Sequence, residues 1–304
     1  MLGAMDFTRL RTRLLEDDSS FYLGTIEAGD ELEWYPTVMG KRGHMVVNKA
    51  AVTAYNESWE ALSREATTGQ DVKDLKQVEA ATLTFVAAVS DRNCFLTPCG
   101  NWKGPTNLLP SLADVKLGCE LVAPHNTAFA GDFPRVIRNL ESLARLVTNK
   151  KHDSKGILDW RSKPRECIQV RHCVFQTKDE DAYEDSDLKK WPVKNHEAGI
   201  ALQSMRNTHV VNELPAYDIH RHLIPPSEHM KALGGAIVRV AISLRHWSID
   251  KQAKDVYTAD IVSLSVIGSA SGPKKRRAPA FDPWLDQVIR KKVRLVDGAA
   301  GRFI

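Results

Sequence analysis

Two β-rich runs near the end of the chain set its architecture, AIVRVAISLRHWSI at residues 236–249 and VYTADIVSLSVI at residues 256–267. In the first run the even positions are almost all apolar, whereas the odd positions include Arg239, Arg245 and Trp247. Because successive side chains of a strand point to opposite faces, one face is predicted to belong to the core and the other to carry these three residues on the surface.

Cationic side chains beside an aromatic ring on a sheet face are typical of proteins that bind single-stranded nucleic acid. Bases stack on the ring for about 1–3 kcal/mol each, and guanidinium groups follow the phosphates. We expect help from Tyr257 on the second run and from the basic stretch that contains Arg161 and Arg171. The alternative is ordinary packing, with Trp247 covering the rim of the core. Residues 209–273 carry six basic and six acidic side chains, which disfavours a strongly anionic ligand.

Apolar residues at helical spacing predict helices in the first half of the chain. Three such sets occur: Phe7, Leu10 and Leu14; Val52, Tyr55, Trp59 and Leu62; and Ile137, Leu140, Ala144 and Val147. Two further segments have the composition of strands, TLTFVAAV at residues 82–89 and IQVRHCVFQ at residues 168–176.

These patterns predict an α+β protein with three regions. Residues 1–150 form a mixed, helix-rich region, residues 165–267 a β-rich module, and residues 268–304 a flexible linker with a basic tail. The module is expected to be an OB-like barrel with Greek-key pairing. With 304 residues, of which 43% are hydrophobic, the chain is long and apolar enough to bury a sizeable core.

Charge is distributed unevenly along the chain, although the total is only +4. Residues 134–178 have a net charge of +7, and the acidic side chains of residues 179–187 contribute −6. Residues 274–304 carry nine basic and three acidic side chains. Attraction to a polyanion is therefore expected in the middle of the chain and at its end.

Two basic clusters in the tail, separated by residues 278–289, have the spacing of a bipartite nuclear localisation signal. Their residues are Lys274, Lys275, Arg276, Arg277, Arg290, Lys291, Lys292 and Arg294. This predicts a nuclear import receptor as a partner and the nucleus as the location, with the cytoplasm as the alternative. Two other interpretations stay open: residues 281–294 form an amphipathic helix that docks on the body, or the tail binds phosphates directly.

The pattern LPAYD, LIPPSE, LGGAIVRVAISLRHWSI and DVYTADIVSLSVI, over the last third of the chain, resembles a group of uncharacterised proteins of mushroom-forming fungi. More remotely, the order of the motifs resembles the single-stranded-DNA-binding OB-fold proteins of phages and large viruses. In those proteins a "YD…I" segment precedes "G-x-x-V-R" on a long strand. The resemblance places Tyr217 and Asp218 in the first segment and Gly235 at the start of the strand.

The same resemblance implies that Arg239, Trp247 and Tyr257 lie near a binding face. This chain differs from the viral proteins in two respects. Its tail is basic, whereas theirs is usually acidic, and its first two thirds do not resemble them.

A cluster of histidines raises the alternative of a metal-dependent enzyme. His220, His222 and His229 lie close in sequence to Asp218 and Glu228, and two imidazoles in a His-x-His pair can bind one metal ion. Surface or loop histidines are the favoured interpretation, since Cys-x-x-Cys, His-Glu-x-x-His, P-loop, G-x-G-x-x-G and G-x-S-x-G motifs are absent. We therefore expect no cofactor, no metal and a non-catalytic protein.

The five cysteines are few and irregularly spaced, which indicates a reducing, intracellular setting. Neither a membrane-spanning apolar run nor a secretory signal is expected. The sequence thus predicts a non-catalytic protein that binds single-stranded nucleic acid, DNA in particular, with low specificity in the nucleus. The competing class is a protein-interaction or self-assembling protein, for which a stable homo-oligomer is expected.

Overall fold

The described chain contains both α-helices and β-strands from its first half to its last strand. The computed structural model describes residues 7–37, 43–65, 77–107, 109–125, 127–160, 165–178 and 187–269. The helices are α1 Phe7–Leu15, α2 Ala28–Glu31, α3 Lys49–Glu65, α4 Phe133–Val147, α5 His196–Met205 and α6 His229–Leu233. The strands are β1 Phe21–Tyr22, β2 Leu32–Pro36, β3 Gly43–Asn48, β4 Leu83–Val89, β5 Lys116–Val122, β6 Asp153–Gly156, β7 Cys167–Cys173, β8 Phe175–Thr177, β9 His209–Val211, β10 Ala216–Tyr217, β11 Ala236–Ile249 and β12 Lys254–Ser269. Within these ranges no helix has the length and apolar character needed to cross a membrane.

The longest strands, β11 and β12, form an antiparallel hairpin that begins at the pair Ile249 and Lys254. The first β-rich run matches β11 at both ends, and β12 extends the second run at both ends. The register shifts next to Ile237 and next to Ala241. Such bulges bend a strand and increase its twist, which suits a sheet that curves around a core.

Five strands pair in a closed ring. β4 pairs with β5, β5 with β7, β7 with β12, β12 with β11, and β11 again with β4. All of these pairings are antiparallel except the one between β7 and β12. The strands β4, β5 and β7, which follow one another in the chain apart from the short strand β6, are neighbours in the ring, and β11 returns beside β4, which is the Greek-key order. A sheet of ten strands results, in which β3 and β2 extend outward from β11.

The first 150 residues are mixed, and the prediction that they are helix-rich is not confirmed. They contribute the strands β1 to β5, which join the same sheet as β7, β10, β11 and β12, whereas β8 and β9 form a separate two-stranded sheet. The strand predicted at residues 82–89 is confirmed as β4. The sequence of residues 21–47 indicates extended segments interrupted at Pro36 and Gly43, and these two residues lie at the ends of β2 and β3.

The main core lies between the sheet and α4, whose buried face consists of Phe133, Val136, Ile137, Leu140, Leu143 and Ala144. Trp34 Nε1 on β2 donates a hydrogen bond to the carbonyl of Leu143 at 2.7 Å. Asn139, also buried, accepts a hydrogen bond from the amide of Ala28 at 3.0 Å and donates to the carbonyls of Leu23 and Ile26 at 2.8 and 2.9 Å. The amide side chain therefore fixes the segment before β2 against α4.

A second apolar cluster covers the outer side of β4 with α1. Leu14 on α1 packs with Val86 on β4 and with Ile237 on β11, and Phe7 and Leu10 pack against the same cluster. β4 is thus apolar on both faces because both faces are covered, as in strands buried within a protein. This cluster leaves the other half of β11 uncovered by α1, and that half carries the candidate site.

Candidate nucleic-acid interface

The outward side of β11 changes from buried to exposed along the strand. Its inward residues from Val238 to His246 are buried, as the alternation predicted. On the outward side Ile237 is buried beneath α1, whereas Trp247 is half-buried and the side chain of Arg245 is 46% exposed. The outward side is therefore open towards the hairpin end.

Arg171 on β7 joins this open part because β7 lies beside β12. The register pairs Arg171 with Asp260, and Arg171 Nε donates a hydrogen bond to Asp260 Oδ1 at 2.7 Å. The guanidinium carbon of Arg171 lies 5.8 Å from the centre of the Trp247 ring. Arg245 Nε lies 3.7 Å from the second oxygen, Asp260 Oδ2. Arg171, Arg245 and Trp247 of the predicted site are thus brought together.

The cluster has a net charge of +1, because it contains the guanidinium groups of Arg171 and Arg245 and the carboxylate of Asp260. The carboxylate pairs with both arginines, and the guanidinium group of Arg171 lies over the Trp247 ring. A guanidinium has five N–H donors, so the single bond through Arg171 Nε leaves donors for a second anion. The arrangement offers a stacking ring and cationic donors side by side.

The strands β2 and β3 add two side chains that sequence reasoning missed. Tyr35 pairs with Met45, and Met45 pairs with Arg245 across the next pair of strands. Residues directly opposite each other share a face of the sheet, so Tyr35 and Met45 lie in one row with Arg245. The sequence LEWYP of β2 could have predicted the position of Tyr35, because Trp34 packs against the core and its neighbour on a strand must face outward.

Gly43 allows the Trp247 indole to lie against β3. A Cβ atom at this glycine would lie 3.0 Å from Trp247 Nε1, closer than ordinary packing permits. We define the Trp247 surface as Tyr35, Met45, Arg171, Arg245, Trp247 and Asp260.

Arg239 lies on the same strand but at a distance from this cluster. It forms an ion pair with Asp17, after α1, with Arg239 Nη2 at 2.7 Å from the Oδ2 atom of Asp17. Arg245 lies six positions after Arg239, which corresponds to about 20 Å along a strand. The structure therefore does not place Arg239 in contact with Trp247.

Tyr257 faces the interior, contrary to the expectation that it contributes to the binding face. It pairs with the inward-facing His246 and is only 1% exposed. Its hydroxyl lies 2.6 Å from Thr148 Oγ1, and burial raises its pKa. Its ring is therefore not available to stack on a base.

A polar cluster lies in the interior directly beneath Trp247. Asp255 is fully buried and accepts hydrogen bonds from the amide of Asn149 at 2.8 Å and from His246 Nε2 at 3.1 Å, and His152 Nδ1 lies 3.4 Å away. The ring of His44 stacks on that of His246 with centroids 5.8 Å apart. Burial lowers the pKa of His246. Burial alone would raise the pKa of Asp255, but its hydrogen bonds lower it.

The histidines considered for a metal site do not converge. His229 is buried on α6, where its Nε2 lies 2.9 Å from the carbonyl of Ile224. His220 and His222 are exposed, and their backbone amides donate to Asp218 in a local turn. In the part of the chain that the structure describes, no group of three or more His, Cys, Asp or Glu residues is arranged to hold a metal ion.

Two sets of predicted residues lie outside the described residues. They are Arg161 and the eight basic residues of the tail, Lys274, Lys275, Arg276, Arg277, Arg290, Lys291, Lys292 and Arg294.

The chain has remote structural similarity to phage proteins. No protein-family model and no curated protein matches it. The single-stranded DNA-binding protein of bacteriophage Enc34 has a TM-score of 0.35 and 12% identity, over 84% of this chain and 99% of the phage chain. The same protein in complex with single-stranded DNA has a TM-score of 0.33 and 12% identity, over 78% and 96%. A single-stranded DNA-binding protein encoded by bacteriophage T7 has a TM-score of 0.39 and 10% identity, over 66% and 98%.

Proposed function

We propose that this protein binds single-stranded nucleic acid, DNA in particular, through the Trp247 surface, without catalysis and with low sequence specificity. The observation that carries the proposal is the juxtaposition of Arg171 and Arg245 with the half-buried Trp247 ring on one outward face. Arg245 and Trp247 share the strand β11, whereas Arg171 lies on the distant strand β7, and the pairings of β7 with β12 and of β12 with β11 bring it to them.

The two kinds of contact match the two parts of a nucleotide. A base stacks on the Trp247 indole or on the Tyr35 ring, and every base has a face that allows such stacking. The guanidinium groups of Arg171 and Arg245 bind the flanking phosphates. Arg239 lies further along the same strand, where a bound chain of several nucleotides would reach it.

The ring of strands supports the proposal, since we infer that it is an OB-type barrel. Such barrels have five strands in Greek-key order and bind oligonucleotides on the face of the second and third strands. In this chain the second and third strands of the ring are β5 and β7, and β7 carries Arg171. The Trp247 surface is continuous with that face through the neighbouring strand β12.

The proposal is tested by fluorescence anisotropy of a labelled oligothymidylate, titrated with the full chain at several salt concentrations. We expect binding that weakens as salt rises, because phosphate contacts release counterions. Loss of one stacked base predicts that Trp247→Ala weakens binding by roughly 5- to 150-fold, from about 1–3 kcal/mol. Arg245→Ala is expected to weaken binding and to reduce the salt dependence.

Two exposed residues away from the surface provide matched controls. Trp59→Ala on α3 removes an exposed tryptophan, and Arg145→Ala on α4 removes an arginine that is likewise paired with a carboxylate. Both are expected to leave the affinity unchanged. The proposal fails if the chain does not bind at low salt, or if a double variant, Trp247→Ala with Arg239→Ala, binds as tightly as the parent.

A nuclear location is a further part of the proposal and rests on the tail sequence alone. The two basic clusters, 274–277 and 290–294, have the interval that an import receptor recognises. A fluorescent fusion of the whole chain is expected to accumulate in nuclei and to lose this accumulation when both clusters are replaced by alanine. Equal distribution of the two fusions would contradict the assignment.

A further inference from the structure

The interior cluster beneath Trp247 concentrates imidazole groups around one carboxylate. His44 comes from β3, His246 from β11, and His152 from the segment before β6, whereas Asp255 comes from β12. A second carboxylate, that of Asp250, lies with its Oδ1 atom 4.0 Å from His152 Nε2. Two imidazoles, those of His246 and His152, thus contact one fully buried carboxylate, and the third, that of His44, stacks on His246.

Burial favours the neutral form of His246, although its hydrogen bond to Asp255 acts in the opposite direction. His246 directs Nε2 to Asp255, and its other ring nitrogen, Nδ1, is buried without a hydrogen-bond partner, as is Nδ1 of His44. A proton added to either Nδ1 would create a buried donor with no acceptor, which is costly. It would also place a positive charge next to a stacked second imidazole, because the two rings lie 5.8 Å apart.

The two stacked rings belong to the strands that they hold together. β3 and β11 pair through three residue pairs, of which the central one is His44 with His246. Trp34 on β2 packs edge-on against the same His246 ring. The ring of Tyr257 on β12 also packs against His246, with the ring centroids 4.9 Å apart. A charge on this pair therefore acts directly on the contact between the β2–β3 ribbon and the barrel.

We propose that the His44–His246 pair is an acid-sensitive lock, which holds β2 and β3 on β11 at neutral pH and releases them in mild acid. Release separates Gly43 from Trp247 and Met45 from Arg245, and so dismantles part of the Trp247 surface. The lock is a property of the free protein and stands or fails independently of nucleic-acid binding.

Hydrogen exchange of the free wild-type chain at pH 7.5 and pH 5.5, corrected for the intrinsic rates, tests the lock. Exchange in β2 and β3 is expected to rise by about tenfold relative to β4 and β5, the factor that corresponds to a cost of about 1.4 kcal/mol for a buried donor without an acceptor. An unchanged rate in β2 and β3, or an equal rise in β4 and β5, would overturn the proposal.

A variant identifies the responsible pair. His44→Phe keeps an aromatic ring in contact with His246 but removes one titratable group, and is expected to reduce the rise to less than threefold. His222→Phe, at an exposed histidine outside the cluster, is the control and should show the full rise. A full rise in His44→Phe, or a reduced one in His222→Phe, would contradict the assignment to His44 and His246.

Discussion

Asp260 is the one acidic residue of the Trp247 surface, and its replacement tests how that surface binds phosphate. Asp260→Asn keeps the shape of the side chain and removes the charge that both arginines share. The carboxylate lies 2.7 Å from Arg171 Nε and 3.7 Å from Arg245 Nε, so a phosphate on the far side of either guanidinium would lie about 7 Å from it. At that distance, in water, repulsion amounts to about 0.6 kcal/mol per phosphate.

This repulsion sets the size of the expected effect. Removing it for one or two phosphates predicts binding to oligothymidylate that is about threefold to eightfold tighter at low salt. The logarithmic salt dependence should become steeper by about 0.7, the value for one more phosphate contact on a single strand. Folding stability should change by less than about 1 kcal/mol, because the ion pairs are partly exposed.

The assay is anisotropy titration between low and moderate salt, with Glu27→Gln as the control. Glu27 also pairs with an exposed arginine, Arg135 on α4, so its replacement changes the net charge equally but away from the surface. Glu27→Gln should leave the affinity nearly unchanged. Weaker binding by Asp260→Asn would refute the reasoning and would show that the carboxylate is needed to hold the arginines in place. An unchanged affinity would show that phosphates do not approach these arginines.

Three further predictions concern stability. Asn139→Ala should lower the free energy of unfolding in urea by at least about 3 kcal/mol, because three backbone groups lose their hydrogen-bond partner. A loss below about 1 kcal/mol would contradict this. Gly156→Ala should lower the free energy of unfolding in urea by more than about 2 kcal/mol, because Gly156 has a φ of +111° and a Cβ atom would meet the carbonyl of Tyr257. An unchanged unfolding midpoint would disprove this packing. Burial lowers the pKa values of His229 and His246 from 6.5, so as pH falls the unfolded chain binds these protons before the folded chain does. The free energy of unfolding should therefore fall as pH drops below about 6.5. A constant free energy of unfolding down to about pH 5 would contradict this.

The alternation in β11 was sufficient to predict which side of that strand is buried. The pattern separated His246 from Trp247 correctly, because a strand admits only two faces. The sequence also held the information needed to place Tyr257. Once the turn between the strands is known, Ile249 pairs with Lys254 and Tyr257 pairs with His246, on the inward side. The error arose from treating the two runs separately.

Other parts of the site depend on contacts that local patterns do not encode. Arg171 reaches Trp247 only because β7 lies beside β12, a parallel pairing between strands about 90 residues apart in sequence. Tyr35 lies in a segment whose extended conformation the sequence indicates, but the pairing of β2 with β3 and of β3 with β11 is not encoded in the local pattern. The histidine cluster gathers residues from four separate segments, none of which has a motif of its own.

The central claim is that single-stranded nucleic acid lies on the Trp247 surface. Ultraviolet crosslinking of an oligothymidylate to the full chain, followed by mass spectrometry of the digested peptides, tests it most directly, because stacked aromatic rings lie in contact with the bases. We predict crosslinked peptides that contain Trp247 or Tyr35. In the Trp247→Ala variant the crosslink at position 247 should be lost. Crosslinks confined to residues 270–304, or to peptides that exclude both aromatic residues, would contradict the claim.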